Sequence, residues 1–172
     1  ILKGLRKLYE LDVSDDELET IGIDLGADVP FFIKGKTQIG DGVGEILQPI
    51  KTVINGCYLL VAPDLHIDTK WAYSELKNIL DRPNEVVNFP GFIRKEIIPF
   101  ELFENDFEAI VVPAYPEIGQ IKNSLRVHGA RFASLSGSGS TVFGVFDEDA
   151  DAKSAESHFS SRYNTFITNP TL

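Results

Sequence analysis

The sequence predicts an α+β fold, an antiparallel sheet layered with helices, preceded by the tail of another domain. From Val53 onward the apolar runs fall in the order strand, helices, two strands joined by a glycine loop, helix, strand, which is a split βαβ arrangement. Residues 1–51 hold helices and short strands that do not close a layer by themselves. The length of 172 residues, 43% hydrophobic with twelve Phe, suits one packed core and a fraction of a second. The division is therefore expected at 1–52 and 53–172.

Each element has a local cause. Leu2, Leu5, Leu8 and Tyr9 share one helical face, and that helix is expected to end near Leu11. The chain opens without an initiator methionine or the features of a signal peptide, and reads as a C-terminal fragment. Ser14-Asp15-Asp16-Glu17 is a capping box, with Leu18, Ile21 and Leu25 as the buried stripe of the helix it starts. Gly26 suits a C-cap, and Pro30 is expected to push Val29 out of the helical region. Residues 31–33, 37–39 and 46–47 read as short strands around Gly35 and Gly42-Val43-Gly44. The apolar run 57–62 before Pro63 is a buried strand, and 69–80 a helix with Ala72, Leu76 and Ile79 on its apolar face. The stretch 89–103 is ambiguous. Asn105 opens a helix with Glu108 three residues on, and 117–128 is another helix. Residues 130–135 and 142–146 are strands, 149–159 a polar-faced helix and 163–168 a last strand.

Composition removes several function classes. There are 16 basic and 26 acidic residues, a net charge of −10, so neither a nucleic-acid partner nor a polybasic lipid anchor is expected. No run approaches the ~18 apolar residues of a membrane span. The one cysteine, Cys57, fits a reducing, cytoplasmic compartment. His66, His128 and His158 share no spacing and have no cysteine partners, so no protein metal site is expected. So acidic a chain has carboxylates to spare for glycosidase chemistry, but nothing singles out a pair.

Four segments are candidates for chemistry. In Ser136-Gly137-Ser138-Gly139-Ser140-Thr141 the alternating glycines let backbone N–H groups converge on one concavity, a nest for phosphate oxygens flanked by hydroxyls. A hairpin connection would use the same residues. The segment lacks the Gly-Lys-Ser/Thr ending of a Walker loop and the spacing of a nucleophile elbow. Asp28, between a helix end and Pro30, is a positioned carboxylate suited to general-base work, or else a turn aspartate. Thr69 and Tyr73 lie four apart at a helix start, on one face; Tyr73 offers a flat ring to a base or sugar while Thr69 caps the helix, or else the pair is an N-cap and a half-buried aromatic. Asn105-x-x-Glu108 has the pattern of a cap, and its structural reading is preferred.

Taken in order, Leu25-Gly26-Ala27-Asp28-Val29-Pro30-Phe31-Phe32, Gly42-Val43-Gly44-Glu45-Ile46-Leu47, Ile67-Asp68-Thr69 with Tyr73, Asn105-Asp106-Phe107-Glu108, and Gly129-Ala130 leading to 135–143 resemble the GHMP kinase superfamily from about Leu18 to Phe146. The Gly-Ala-Asp-Val-Pro and Gly-Val-Gly-Glu pair points to the branch acting on a cytidyl diphosphate substrate in non-mevalonate isoprenoid (terpenoid) biosynthesis, rather than to mevalonate or homoserine kinase. The resemblance implies a ferredoxin-like C-terminal domain over 53–172 and ATP as co-substrate, with Mg2+. It implies Asp28 as the catalytic aspartate acting on the attacking 2-hydroxyl, and Tyr73 as the ring stacked on cytosine with Thr69 nearby. Ser136 to Thr141 would be the loop beside the phosphates. The family's N-terminal lysine and its Pro-x-x-x-Gly-Leu-Gly-Ser-Ser loop, which carries the main ATP contacts, have no counterpart here. The fragment alone is therefore expected to be inactive, to lack an N-terminal domain as partner, and to be open to self-association. The alternatives are another small-molecule kinase of the superfamily, or a ferredoxin-like regulatory or interaction domain without catalysis.

Overall fold

The computed structural model describes residues 1–41, 46–50, 56–79 and 103–170. The Gly42-Val43-Gly44-Glu45 segment, Leu80, the stretch 89–102 and the expected boundary at Val53 lie outside them. The described residues fall into two compact units, one within 1–50 and one within 56–170.

The first unit holds α1 (Leu2–Leu8), α2 (Asp15–Leu25), α3 (Val29–Lys34), β1 (Gln38–Asp41) and β2 (Ile46–Pro49). The capping box forms as its sequence requires. The Glu17 N–H donates to Ser14 Oγ at 3.2 Å, and the Ser14 N–H donates to the Glu17 carboxylate at 2.8 Å. The buried line of α2, however, runs through Leu18 and Gly22, while Ile21 and Leu25 are 48% and 66% exposed. The cause is α3. A Cβ on Gly22 would stand 2.9 Å from Val29 Cγ1 and 3.1 Å from Ile33 Cδ1, so the glycine is the point of closest approach between the helices.

The expected strand at 31–33 is in fact α3. Pro30 sits in the first helical turn, where its missing N–H would have had no intrahelical partner and its fixed φ suits the helix. Val29 is therefore helical, and Gly35 at φ +68° stops the helix instead. β1 and β2, expected only as short strands, pair antiparallel, with Gln38 opposite Pro49 and Asp41 opposite Ile46.

The second unit holds β3 (Cys57–Ala62), α4 (Thr69–Ile79), α5 (Glu108–Ala114), α6 (Pro116–Val127), β4 (Phe132–Leu135), β5 (Val142–Phe146), α7 (Asp149–Glu156) and β6 (Asn164–Thr168). Its sheet runs β4-β5-β3-β6, antiparallel throughout. The first strand thus lies between the third and the last, as a split βαβ requires, and the α+β ferredoxin-like expectation holds. Along β3 the pleat buries Cys57, Leu59 and Val61 and leaves Tyr58, Leu60 and Ala62 on the other face. On the buried side Ile118, Ile121 and Leu125 of α6 and Ala152 and Ala155 of α7 join them in one core with Ala133, Leu135, Val142 and Phe146. Each of the larger side chains among them, Val, Leu, Ile or Phe, contributes about 1.5–3 kcal/mol on burial. That core fixes two features that build the site: the hairpin between β4 and β5, and the first turn of α4.

Candidate functional site

The Ser136 to Thr141 segment is the β4–β5 hairpin connection. Two of its N–H groups turn inward, Ser136 to the Thr141 carbonyl at 2.8 Å and Gly139 to the Ser136 carbonyl at 3.0 Å. The N–H groups of Gly137, Ser138, Ser140 and Thr141 donate to nothing among the described residues. Gly137 (φ +56°) and Gly139 (φ +95°) adopt the left-handed region that lets the chain turn this tightly. Gly139 is doubly constrained, because a Cβ there would lie 2.9 Å from Ile67 Cδ1 and 3.1 Å from Leu135 Cδ1.

The start of α4 faces this loop. Asp68, not Thr69, caps the helix, taking the Trp71 N–H on its carboxylate at 2.7 Å. The carboxylate is the better acceptor, and Thr69 is left free of the capping duty expected of it. Its Oγ1 lies 3.3 Å from Ser138 Oγ. One turn later Tyr73 is 61% exposed, its ring edge-on to Phe107 at 4.9 Å between centroids. Thr69, Tyr73 and the loop therefore share one neighbourhood, with two hydroxyls and an accessible aromatic face.

Beneath the loop lies a polar base that the sequence reading took for a simple cap. Asn105 Nδ2 donates to the Leu135 carbonyl at 2.8 Å and to the Gly137 carbonyl at 2.9 Å, while Oδ1 accepts the Phe107 N–H at 3.0 Å. Glu108 does not return to Asn105. Its Oε1 accepts the Ser134 hydroxyl and the Leu135 N–H, both at 2.8 Å, and its other oxygen is ion-paired with Lys122. Burial alone would push the Glu108 carboxyl up, but Lys122 and the two donors outweigh it and hold it below its ordinary value. The sequence reading did not anticipate that Asn105, Glu108, Lys122 and Ser134 meet in this network. The available signal was that Asn105-Asp106-Phe107-Glu108 belongs to the family resemblance.

Asp28 lies in the first unit, at the exposed N-cap position of α3 rather than at a helix-to-strand junction. Its carboxylate makes no capping hydrogen bond. His128 and His158 meet ring to ring at 3.8 Å, yet no three His, Cys, Asp or Glu side chains come together as a metal centre among the described residues.

Residues 96–165 match the family model described as GHMP kinases C terminal. A 4-diphosphocytidyl-2-C-methyl-D-erythritol kinase of Pelobacter propionicus is 39% identical over 155 residues, 90% of this chain and 55% of that protein. The enzyme of the same name from Syntrophotalea carbinolica is 39% identical over 173 residues, 99% of this chain and 61% of its own. A crystal structure of 4-(cytidine 5'-diphospho)-2C-methyl-D-erythritol kinase superposes with a TM-score of 0.76 at 27% identity, over 98% of this chain and 61% of that one. The chain thus spans somewhat over half the length of the relatives it matches. The likeness extends through both units, in sequence and in fold, and the second unit is a GHMP kinase C-terminal domain.

Proposed function

We propose that this chain is the C-terminal part of an ATP-dependent kinase that phosphorylates the 2-hydroxyl of 4-diphosphocytidyl-2-C-methyl-D-erythritol in isoprenoid biosynthesis. The observation that carries the geometric side is the meeting of Thr69 and Ser138 at 3.3 Å beside the exposed ring of Tyr73. An aromatic face for a pyrimidine and a loop with four N–H groups that have no acceptor among the described residues suit a cytidine diphosphate ester. In this reading Tyr73 stacks on cytosine and Thr69 holds the neighbouring polar groups. Residues 136–141 support the phosphates, and Asp28 orients or deprotonates the attacking hydroxyl. Mg2+ enters as part of the MgATP substrate, riding on the phosphates as that ion commonly does. Such a reaction belongs in the cytoplasm, where ATP is supplied, and no helix among the described residues is long and apolar enough to cross a membrane.

The test is ADP release by the chain extended with its upstream coding sequence, given ATP and the cytidyl substrate, with mevalonate and homoserine as rival acceptors. Turnover is expected with the cytidyl compound alone. Asp28→Asn should lower it about a hundredfold or more while ATP binding stays nearly intact, as for a lost general base. Near-normal turnover in that variant returns Asp28 to a turn residue. Absence of turnover with every acceptor would favour a binding domain.

A further inference from the structure

We infer that Asn105, seconded by Glu108, is a positioning residue that ties the 136–141 loop and the Tyr73 ring into one unit, so that the phosphate side and the base side of the site are set together. The inference rests on the kinase reading above and adds to it a residue whose side chain touches neither ligand.

The argument starts from hydrogen-bonding capacity. The N-cap residue of α5 is Phe107, without a side-chain bond; Asn105 caps only the turn before it, for which a side-chain oxygen suffices and Asp or Ser serves as well as Asn. Here the oxygen does take the Phe107 N–H at 3.0 Å, but both protons of the amide are also spent, on the carbonyls of Leu135 and Gly137 at 2.8 and 2.9 Å. Only an amide of this length is acceptor and double donor at once. Those two carbonyls bracket Ser136, so Asn105 grips the loop where it leaves β4. Glu108 holds the other side of the same residue through the Leu135 N–H at 2.8 Å, and is itself anchored by Ser134 and Lys122. Between Asn105 and Glu108 stands Phe107, whose ring meets Tyr73 at 4.9 Å and whose N–H is the one Asn105 accepts. A shift of residues 105–108 therefore moves the loop and the stacking ring together.

Three variants separate this role from capping. Asn105→Ala removes every bond. Asn105→Asp keeps the cap oxygen but sets a carboxylate against two carbonyl oxygens. Glu108→Gln weakens the second grip. Amide hydrogen exchange on the 172-residue chain without ligand should speed up about tenfold or more at Ser136 and Gly139 in Asn105→Asp, at least as much as in Asn105→Ala, with Leu59 in β3 little changed. In the upstream-extended chain, Asn105→Asp should lower kcat and raise the KM for the cytidyl substrate, about tenfold each, with a milder change in Glu108→Gln.

Asn105→Asp matching the wild type in loop exchange while Asn105→Ala does not would reduce the residue to a cap and overturn the inference. A loosened loop with wild-type kcat and KM would overturn it too. If the wild-type extended chain has no turnover at all, the kinase reading fails, and the exchange pattern alone then decides whether the grip exists.

Discussion

Tyr73 and Glu108 show how one site asks opposite things of its side chains. Tyr73 keeps 61% of its surface in water, so its ring contributes little to the core and is available to a ligand. Base stacking on an aromatic ring is worth about 1–3 kcal/mol, so on the proposed reading Tyr73→Ala should weaken binding of the cytidyl compound about tenfold or more, while Tyr73→Phe keeps the face and stays near wild type. Isothermal titration of the three proteins reads the difference. A lowered melting temperature with unchanged affinity would mean that the ring is structural. Glu108 is the reverse, a half-buried charge kept ionised because Lys122, the Leu135 N–H and the Ser134 hydroxyl together outweigh its burial. Its folded-state value lies below the ordinary 4.5, so the unfolded chain takes up the proton first as the solution is acidified. The stabilisation is then complete above about pH 4.5 and is lost as pH falls through the folded value. Glu108→Gln should accordingly be less stable than wild type at pH 7, and the gap should close on acidification. Urea midpoints measured from pH 7 down to about 3 test this, and a constant gap would exclude Glu108 as the source.

At the scale of the element, β3 is the strand on which the second unit is built, and its one thiol reports its state. Burial, and then the Asp149 carboxylate beside it, push Cys57 up to about 11, and the side chain is 1% exposed. A maleimide at pH 8 should label the folded chain at the rate of opening of the sheet and label the urea-unfolded chain at once. Rapid labelling of the native chain would mean that β3 is not held as described. The glycine loop allows a similar comparison. Gly137→Ala meets only the cost of its left-handed backbone, about 1–2 kcal/mol, since nothing lies within 4 Å of the added methyl. Gly139→Ala adds a clash with Ile67 and Leu135 and should be clearly the more destabilising in thermal melts. These elements were legible because β3, β4 and β5 are short apolar runs bounded by turn residues. The helix α3 was not, since Pro30 breaks a helix interior but is at home in a first turn, and nothing local says which applies. The stripe on α2 was misplaced for a related reason: Gly22 is invisible to a hydrophobic pattern, yet it is where the neighbouring helix comes closest. Asn105 was undervalued because its acceptors lie 30 and 32 residues away, beyond any local pattern.

At the scale of the whole chain, what counts is which parts of a phosphoryl-transfer machine are present. On the proposed reading the sequence supplies the aspartate, the aromatic ring and the serine-glycine loop, without a counterpart of the family's lysine or of its main ATP-cradling loop. It spans 55% and 61% of two relatives that carry the kinase name. Transfer to a hydroxyl depends on holding the γ-phosphate in line with it, and such positioning accounts for roughly 7–11 kcal/mol of barrier lowering where it is well achieved. If, as proposed, residues 1–172 form the acceptor side without a cradle for the donor, the chain forgoes that contribution. Purified as it stands, the 172-residue chain should therefore fold its second unit and release no ADP above background from ATP and the cytidyl substrate. Apolar side chains such as Leu8, Leu25 and Phe32, 71%, 66% and 75% exposed, should also make it associate as concentration rises, which sedimentation velocity detects. Joined to its upstream coding sequence, the same chain should gain turnover and lose that concentration dependence together. If the isolated chain turned over at a rate near that of the extended one, the donor phosphates would have to be held by residues 1–172 alone. The assignment of the ATP contacts to a separate N-terminal part would then be wrong.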